Sequence, residues 1–152
     1  MDGKLKKIDV QTGHVQKICD VVLGDGGTLN SNGDILFLSG RGSPIMRVKD
    51  SGGEPAAVTK LDSQRRETEH AWPQFLPDGK HFLFEAISDD RNNSGIYIGS
   101  LDGSAPHLIV RSDFNASFAR GFVFFVTDVV LDRWNQHVGC ATVGFAAIRA
   151  HR

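Results

Sequence analysis

This 152-residue sequence has few cysteines and no excess of either charge sign, and each of these features excludes a class of protein. Its two cysteines, Cys19 and Cys140, stand far apart and in no CxxC motif, so neither a disulfide framework nor a cysteine-based zinc site is indicated. The 17 Lys and Arg residues nearly balance the 18 Asp and Glu residues, which gives a net charge of -1. No global field favours nucleic acid or an anionic membrane surface, so we expect no nucleic-acid partner.

Long hydrophobic runs are missing as well. No window approaches the roughly 18 apolar residues of a membrane-spanning helix, and the N-terminal MDGKLKKIDV lacks the apolar core of a signal peptide. The nearest approach is GFVFFVTDVVL at residues 121–131, which is short and interrupted by Asp128, and we interpret it as a buried pair of strands. We therefore expect neither a signal peptide nor a membrane span in this chain.

Glycine and phenylalanine, by contrast, are abundant, with 17 Gly and 10 Phe beside a single Tyr. Short apolar runs alternate with turn residues, and hardly any segment has the apolar spacing of an amphipathic helix. This pattern predicts an all-β chain whose turns need the conformational freedom of glycine. Strands are predicted at residues 5–10, 15–19, 28–30, 35–39, 45–49, 57–60, 72–76, 81–86, 96–100, 107–110, 116–119 and 122–126.

Two kinds of segment recur along the chain. One is a strand, a Gly turn and a short second strand, as in IYIGSLDGSAPHLIV at residues 96–110, and the other is a hairpin, as in WPQFLPDGKHFLF at residues 72–84. Within each kind the turn glycines are 40 to 50 residues apart. They are Gly13, Gly53 and Gly103 for the first kind and Gly33, Gly79 and Gly121 for the second. This repeat length, with about four short strands, is typical of a β-propeller blade.

The hairpin at residues 72–84 carries the predicted core of one blade. We expect its aromatic side chains to fill the space between neighbouring blades, and truncation of Trp72 to be among the most damaging changes. The Pro-Asp-Gly sequence is expected to form the turn. The predicted blade signature consists of Trp72, Pro73, Phe75, Pro77, Asp78, Gly79, Phe82, Phe84, Gly33, Gly53 and Gly103.

A known repeat family resembles these segments. The WD40-like, TolB-type (PD40) β-propeller repeats combine an aromatic residue, Pro-Asp-Gly and an apolar strand, and similar combinations stand in WPQFLPDGKHFLF, GGTLNSNGDILFL, SGIYIGSLDG and GGEPAAVTKLD. The likeness covers residues 2–126 and is greatest to the propeller that follows the kinase domain in many bacterial eukaryotic-like serine/threonine protein kinases. It departs at SNG, residues 31–33, where Pro-Asp-Gly is usual, and at ARG, residues 119–121, which replaces the turn.

The resemblance implies a partial β-propeller of about three four-stranded antiparallel blades. We place a half-blade at residues 2–20, blades at residues 26–62 and 70–112, and the start of a further blade at residues 115–126. The remaining residues, 127–152, lack turn dipeptides. We expect them to form an atypical tail, helical or disordered, and interpret it as a truncated or out-of-frame ending.

No catalytic, cofactor-binding or metal-binding residues are indicated. The HRD and DFG motifs of kinases and the GxSxG elbow of hydrolases are missing, and the Gly-rich segments at residues 24–27 and 40–42 lack the GK[ST] ending of a phosphate loop. Glu67 and His70 fit ExxH, a di-iron spacing, but a single copy in a loop favours a surface role over a metal. For His70 and His81 we expect hydrogen bonds in turns or between blades, with a pH-sensing or ligand role as the alternative.

These features favour a non-catalytic binding or sensor module over an enzyme. From the resemblance, we expect the chain to be the interaction part of a larger bacterial receptor-type serine/threonine kinase, with a protein or small ligand at its loops or central channel. A propeller piece that gates or supports a prolyl-oligopeptidase-like serine hydrolase is the alternative. Uncovered blade edges predict self-association, or a partly unfolded N-terminal half-blade at residues 2–19. The compartment stays open, and it is periplasmic or extracytoplasmic if the chain belongs to a receptor kinase or a TolB-like protein.

Overall fold

The computed structural model describes residues 3–22, 26–130 and 142–149, and in these ranges the chain consists of strands joined by turns. Thirteen strands and one 3-10 turn, Arg91–Asn93, are present there. The strands are β1 (Lys4–Ile8), β2 (Val15–Asp20), β3 (Gly27–Leu29), β4 (Asp34–Leu38), β5 (Ile45–Lys49), β6 (Ala56–Ala57), β7 (Glu67–Phe75), β8 (His81–Ser88), β9 (Gly95–Ser100), β10 (His107–Val110), β11 (Ala116–Ala119), β12 (Phe122–Val130) and β13 (Thr142–Arg149). These ranges contain no helix of the length and apolarity needed to cross a membrane.

The strands form four antiparallel sheets in which each strand pairs with its neighbours in sequence. The first sheet contains β1 and β2, the second β3 to β6, the third β7 to β10, and the fourth β11 to β13. Within the described residues none of these sheets closes on itself. The all-β prediction is confirmed, and the sheets follow one another as the small blades of a partial β-propeller.

The hairpins that begin the second and third sheets turn at glycines because the backbone there is left-handed. Gly33 has a φ of 77° and Gly79 a φ of 67°, a region that other residues rarely adopt. A short polar side chain closes each turn. Asn30 Oδ1 accepts a hydrogen bond from the Asp34 N–H at 2.9 Å, and Asp78 Oδ1 accepts from two backbone N–H groups, both at 2.9 Å. These local interactions explain why turn residues alone predict the hairpins.

Each predicted strand overlaps an observed one, but the start of β7 was predicted wrongly. Glu67 and His70, expected in a surface loop, lie on β7 and are buried. The reason is that β8 extends to Ser88 and pairs with this segment, placing Glu67 opposite Ser88. The ExxH segment is therefore part of a sheet.

The predicted tail also differs from the structure where the structure describes it. β12 continues to Val130, and β13, Thr142–Arg149, pairs with it antiparallel, whereas the tail was expected to be helical or disordered. The sequence of β13, TVGFAAIR, contains Thr, Val, Phe and Ile, which favour strands, and pairing supplies hydrogen bonds to an edge of β12. Residues 131–141 and 150–152 of the predicted tail lie outside the described residues.

The core consists of three apolar clusters, one between each pair of consecutive sheets. Strand alternation produces them, because neighbouring residues such as Phe82 and Leu83 point to opposite faces of the third sheet. The buried members are Ile18, Cys19, Phe37 and Val48 between the first and second sheets, Leu36, Ile45, Phe82, Phe84, Ala86 and Tyr97 between the second and third, and Leu83, Ile96 and Val123 between the third and fourth.

Trp72 does not fill the space between blades, and that prediction is wrong. Its side chain is 43% exposed, and its φ is 53°, in the left-handed region. The register of β7 against β8 shifts between Ala71 and Gln74, which is a β-bulge containing Trp72 and Pro73. Proline cannot donate to a ladder and occurs in sheets mainly at edges and bulges, so the Trp-Pro pair turns the Trp72 ring away from the core.

We expect Phe82→Ala to destabilise the chain far more than Trp72→Ala. The Phe82 ring is fully buried and lies over Gly99, where an added Cβ would be 2.7 Å from the ring. Its removal leaves a cavity between two sheets, so the free energy of unfolding should fall by about 3 kcal/mol or more. Urea denaturation followed by circular dichroism measures both variants. A loss for Trp72→Ala equal to that for Phe82→Ala would contradict the assignment of the core.

Candidate functional site

The first strands of the second, third and fourth sheets are joined by side chains, since no backbone ladder runs between separate sheets. The Phe75 N–H of β7 donates to Thr28 Oγ1 of β3 at 3.2 Å. Gln74 of β7 binds β11 twice: its Oε1 accepts from the Phe118 N–H at 2.7 Å, and its Nε2 donates to the Phe118 carbonyl at 3.2 Å. Three consecutive sheets are thereby held together at their first strands, β3, β7 and β11, which we call the inner strands.

A groove of about 320 Å³ opens over these strands, and we call it the inner-strand groove. It is lined by Thr28, Leu29, Asn30, Ser31, Gln74, Phe75, Leu76, Pro77, Gly79 and Phe118. None of these residues is charged, and Leu29 is 57% exposed. The groove therefore offers an uncharged surface of mixed polar and apolar atoms, to which three sheets contribute.

Asn30 fixes one end of the inner-strand groove. Its Nδ2 donates to the Gly79 carbonyl of the neighbouring hairpin at 2.8 Å and to Asp34 Oδ2 at 3.2 Å. Asp34 is buried and also forms ion pairs with Arg47 and Lys49, both at 2.7 Å. Burial raises the pKa of Asp34, but the hydrogen bonds from Lys49, Arg47 and Asn30 outweigh it and hold the pKa below its ordinary value. The carboxylate is thus ionised at neutral pH and fully engaged within the fold.

His70 forms a buried polar contact between the second and third sheets. Its Nδ1 lies 2.8 Å from Thr59 Oγ1, and its Nε2 lies 3.1 Å from Glu67 Oε2. The carboxylate of Glu67 can only accept, so in the neutral ring Nδ1 is the unprotonated nitrogen and accepts the Thr59 hydroxyl proton, while Thr59 Oγ1 accepts from the Ile45 N–H at 2.9 Å. Nε2 then carries the ring proton and donates it to Glu67, which is the neutral form of histidine.

The surroundings of His70 favour this neutral form. Burial lowers its pKa, and although the hydrogen bond and charge of Glu67 raise it, the net shift is downward, with a further lowering by Arg65. Glu67 is shared with the Arg65 Nε at 2.9 Å and with the Asp62 N–H at 2.6 Å. The Arg65 guanidinium in turn lies 5.3 Å from the centre of the Tyr97 ring. All partners of Glu67 and His70 are therefore protein groups.

The Thr59, His70 and Glu67 side chains follow the hydroxyl, imidazole and carboxylate order of a hydrolase triad. All three are buried, and the imidazole packs against Phe84 with ring centres 4.7 Å apart. Their hydrogen bonds join the end of one sheet to the start of the next, so the geometry supports a role in holding the sheets together. Within the described ranges no three His, Cys, Asp or Glu side chains are grouped so that they could hold a metal ion.

The remaining signature residues lie in turns or next to them. His81 Nδ1 is 2.5 Å from Asp78 Oδ2 in the exposed turn between β7 and β8. Burial raises the pKa of Asp78, but hydrogen bonds from the His81 side chain and from the backbone lower it by more. The pKa is therefore below its ordinary value, and Asp78 stays ionised. Gly53 and Gly103, with φ values of 125° and 80°, lie in the turns before β6 and β10. His81, like Asp78, stabilises the turn between β7 and β8.

Glu85 is a residue that the sequence interpretation missed. It lies on β8 and is only 6% exposed. Burial raises its pKa to about 7, with a smaller contribution from the charges of Asp113 and Glu69. The signal in the sequence is a single acidic residue inside the apolar run HFLFEAI, where strand alternation alone predicts core packing.

The chain matches no model of a known protein family. A search of curated proteins also finds no match. The likeness to TolB-type propeller repeats therefore stays a prediction that rests on the segments quoted above.

Thr59→Val tests the polar contact between the second and third sheets. The substitution keeps the shape of the side chain but leaves the Ile45 N–H and His70 Nδ1 buried without a partner. We expect the free energy of unfolding to fall by about 1–3 kcal/mol. Thr59→Ser is the matched control, because it keeps the hydroxyl and should lose much less. Equal losses for the two variants in urea denaturation would show that the hydroxyl is not what stabilises this contact.

Proposed function

We propose that the chain is a non-catalytic β-propeller module that binds a protein partner, as the interaction part of a larger bacterial receptor-type serine/threonine kinase. The inner-strand groove is the observation that supports binding, because it is an open, uncharged concavity built by three sheets, and clefts between structural units are common binding sites. The kinase context is supported by the likeness of the repeats alone.

The chemistry of the inner-strand groove favours an uncharged segment of a protein as its occupant. Its amide side chains, Asn30 and Gln74, already bind backbone groups of neighbouring sheets, so they are committed to the fold. What remains for a partner is the apolar surface of residues such as Leu29 and Phe118, together with the other polar groups of the lining. Burial of apolar side chains from the partner against Leu29 would then supply part of the binding free energy.

Leu29→Asp should weaken the binding of peptides in this groove. Peptides are selected by phage display on the wild-type chain. Their affinities for the wild type and for the variant are then measured by isothermal titration calorimetry. A carboxylate among apolar contacts must be desolvated, so we expect affinity to fall at least about tenfold, equal to about 1.4 kcal/mol. Val15→Asp is the control, because Val15 is also an exposed aliphatic residue but lies on the first sheet.

The groove assignment is wrong if the selected peptides bind both variants as tightly as the wild type.

The proposal that the chain belongs to a larger receptor kinase needs a separate observation, which is the sequence of the complete gene. A kinase domain encoded upstream in the same reading frame would support the receptor-kinase proposal. A downstream domain with a GxSxG elbow would instead support the hydrolase alternative.

We also propose that the chain self-associates through the outer face of the fourth sheet. Phe122 and Phe124 are adjacent on this face, with ring centres 6.4 Å apart, and Phe124 is 46% exposed. Phe124 is the third residue after a hairpin glycine, as is Leu36 of the second sheet, which is fully buried against the third sheet. The same position is thus an interface between sheets elsewhere in the chain, and a second copy is the occupant that we propose for it.

Phe124→Ser should reduce self-association measured by light scattering and sedimentation velocity. The wild-type chain is expected to be dimeric or larger, and the variant should dissociate because its apolar contact area is smaller. Phe114→Ser is a matched control, since Phe114 is exposed to a similar degree but lies in a loop. A monomeric wild-type chain, or equal behaviour of the two variants, would contradict this interface.

A further inference from the structure

Trp72 is held at the surface by an unusual backbone conformation. Its side chain is 43% exposed, and its φ of 53° lies in the left-handed region, which a residue with a bulky side chain rarely adopts. Backbone of this kind persists where the surrounding structure imposes it, and it is concentrated at functional sites. Tryptophan is also among the residues most enriched at the energetically important points of protein interfaces. These two properties point to Trp72 as a contact residue for a partner.

The Trp72 ring lies against the beginning of the second sheet. A Cβ atom added to Gly26, the residue before β3, would be 3.0 Å from Trp72 Cε3 and 3.3 Å from Trp72 Cα. Gly26 also has a φ of 77°, so a side chain there would be strained as well as crowded. The glycine thus lets the ring pack closely against the backbone, while the remainder of the ring stays open to solvent.

Trp72 and the inner-strand groove lie along the same pair of strands. Gly26 is beside Trp72, and Thr28 Oγ1 of β3 accepts the Phe75 N–H of β7 at 3.2 Å, so the two strands run side by side in the same direction. Thr28 and Phe75 both line the groove. Three residues of a strand span at most about 10 Å, and this is the distance along β7 from Trp72 to the groove.

The polar groups along this path are mainly hydrogen-bond donors. In the described part of the chain, the Trp72 Nε1–H and the Thr28 hydroxyl proton donate to no protein group. Acceptors, by contrast, are already used within the fold. Gln74 Oε1 accepts from β11, and the Gly79 carbonyl accepts from Asn30 Nδ2. A partner that complements this path is therefore uncharged, rich in acceptors and poor in donors.

We propose that Trp72 and the inner-strand groove together bind a proline-rich segment of the partner in the polyproline II conformation. The inference rests on the proposed function, because it names the kind of segment that the groove takes. Proline has no N–H that would need an acceptor, and the carbonyl groups of a polyproline II helix have no internal partners, so they are available to the free donors.

The spacing of a polyproline II helix also fits this surface. One turn of three residues spans about 9 Å, close to the separation of Trp72 from Phe75 along β7. A proline ring packed on the Trp72 indole would thus place the residue one turn away at the groove. Recognition of such segments by aromatic-lined, uncharged surfaces is a recurrent mode of peptide binding. A charged segment is disfavoured, because no lining residue of the groove carries a charge that could pair with it.

The test measures binding of decaproline to the full chain by isothermal titration calorimetry, with a Gly-Ser peptide of the same length as the control probe. We expect decaproline to bind and the Gly-Ser peptide not to bind. Trp72→Ala should weaken decaproline binding at least about tenfold, because it removes both the ring and the N–H donor. Leu108→Ala is the matched control variant, since Leu108 is exposed to a similar degree but lies on the outer strand β10, and it should leave the affinity unchanged.

Trp72→Phe separates loss of binding from loss of folding. It keeps an aromatic ring and lacks the N–H, so it should fold as the wild type does in circular dichroism and lose about threefold in affinity. Equal binding of decaproline and the Gly-Ser peptide, or wild-type decaproline affinity in both Trp72 variants, overturns the inference. If peptides selected on the chain bind and are weakened by Leu29→Asp while decaproline does not bind, the proposed function stands and the proline-rich segment is wrong. If neither kind of peptide binds, both are wrong.

Discussion

The second and third sheets each have two apolar faces, and burial of both faces is the constraint on which the rest of the structure depends. Side chains alternate along a strand, so Leu36 of β4 packs against the third sheet while Phe37 packs against the first. β8 repeats the arrangement, with Phe82 toward the second sheet and Leu83 toward the fourth. A small sheet of this kind is not stable alone, and stacking in sequence order covers both faces with the shortest connections.

Apolar packing brings the sheets together but has little directionality, so their relative position depends on polar contacts at the sheet ends. The bond from Thr59 to His70 joins the second sheet to the third, and the paired bonds of Gln74 with Phe118 join the third to the fourth. These bonds need a definite distance and angle. They therefore hold the three inner strands at the spacing that opens the groove, which connects the interior of the fold to the proposed binding surface.

Local signals were enough to predict the strands, because the turns depend on Gly, Asn and Asp residues within four positions of each other. What could not be predicted depends on bulges, which arise from pairing between distant segments. Residues three apart on a regular strand face opposite sides, yet a register shift between Glu67 and Glu69 allows Glu67 and His70 to meet. The bulge at Trp72 likewise reverses the side that alternation predicts. A spacing rule fails at such positions because it assumes an uninterrupted register.

Glu85 illustrates the opposite case, in which the register is regular and alternation still does not indicate the role of the residue. Its strand position predicts a core side chain, and the structure does bury it. What alternation does not indicate is that burial raises the pKa of this carboxyl to about 7. A neutral carboxyl is cheaper to bury than an ionised one, so the raised pKa lets the chain fold around this group.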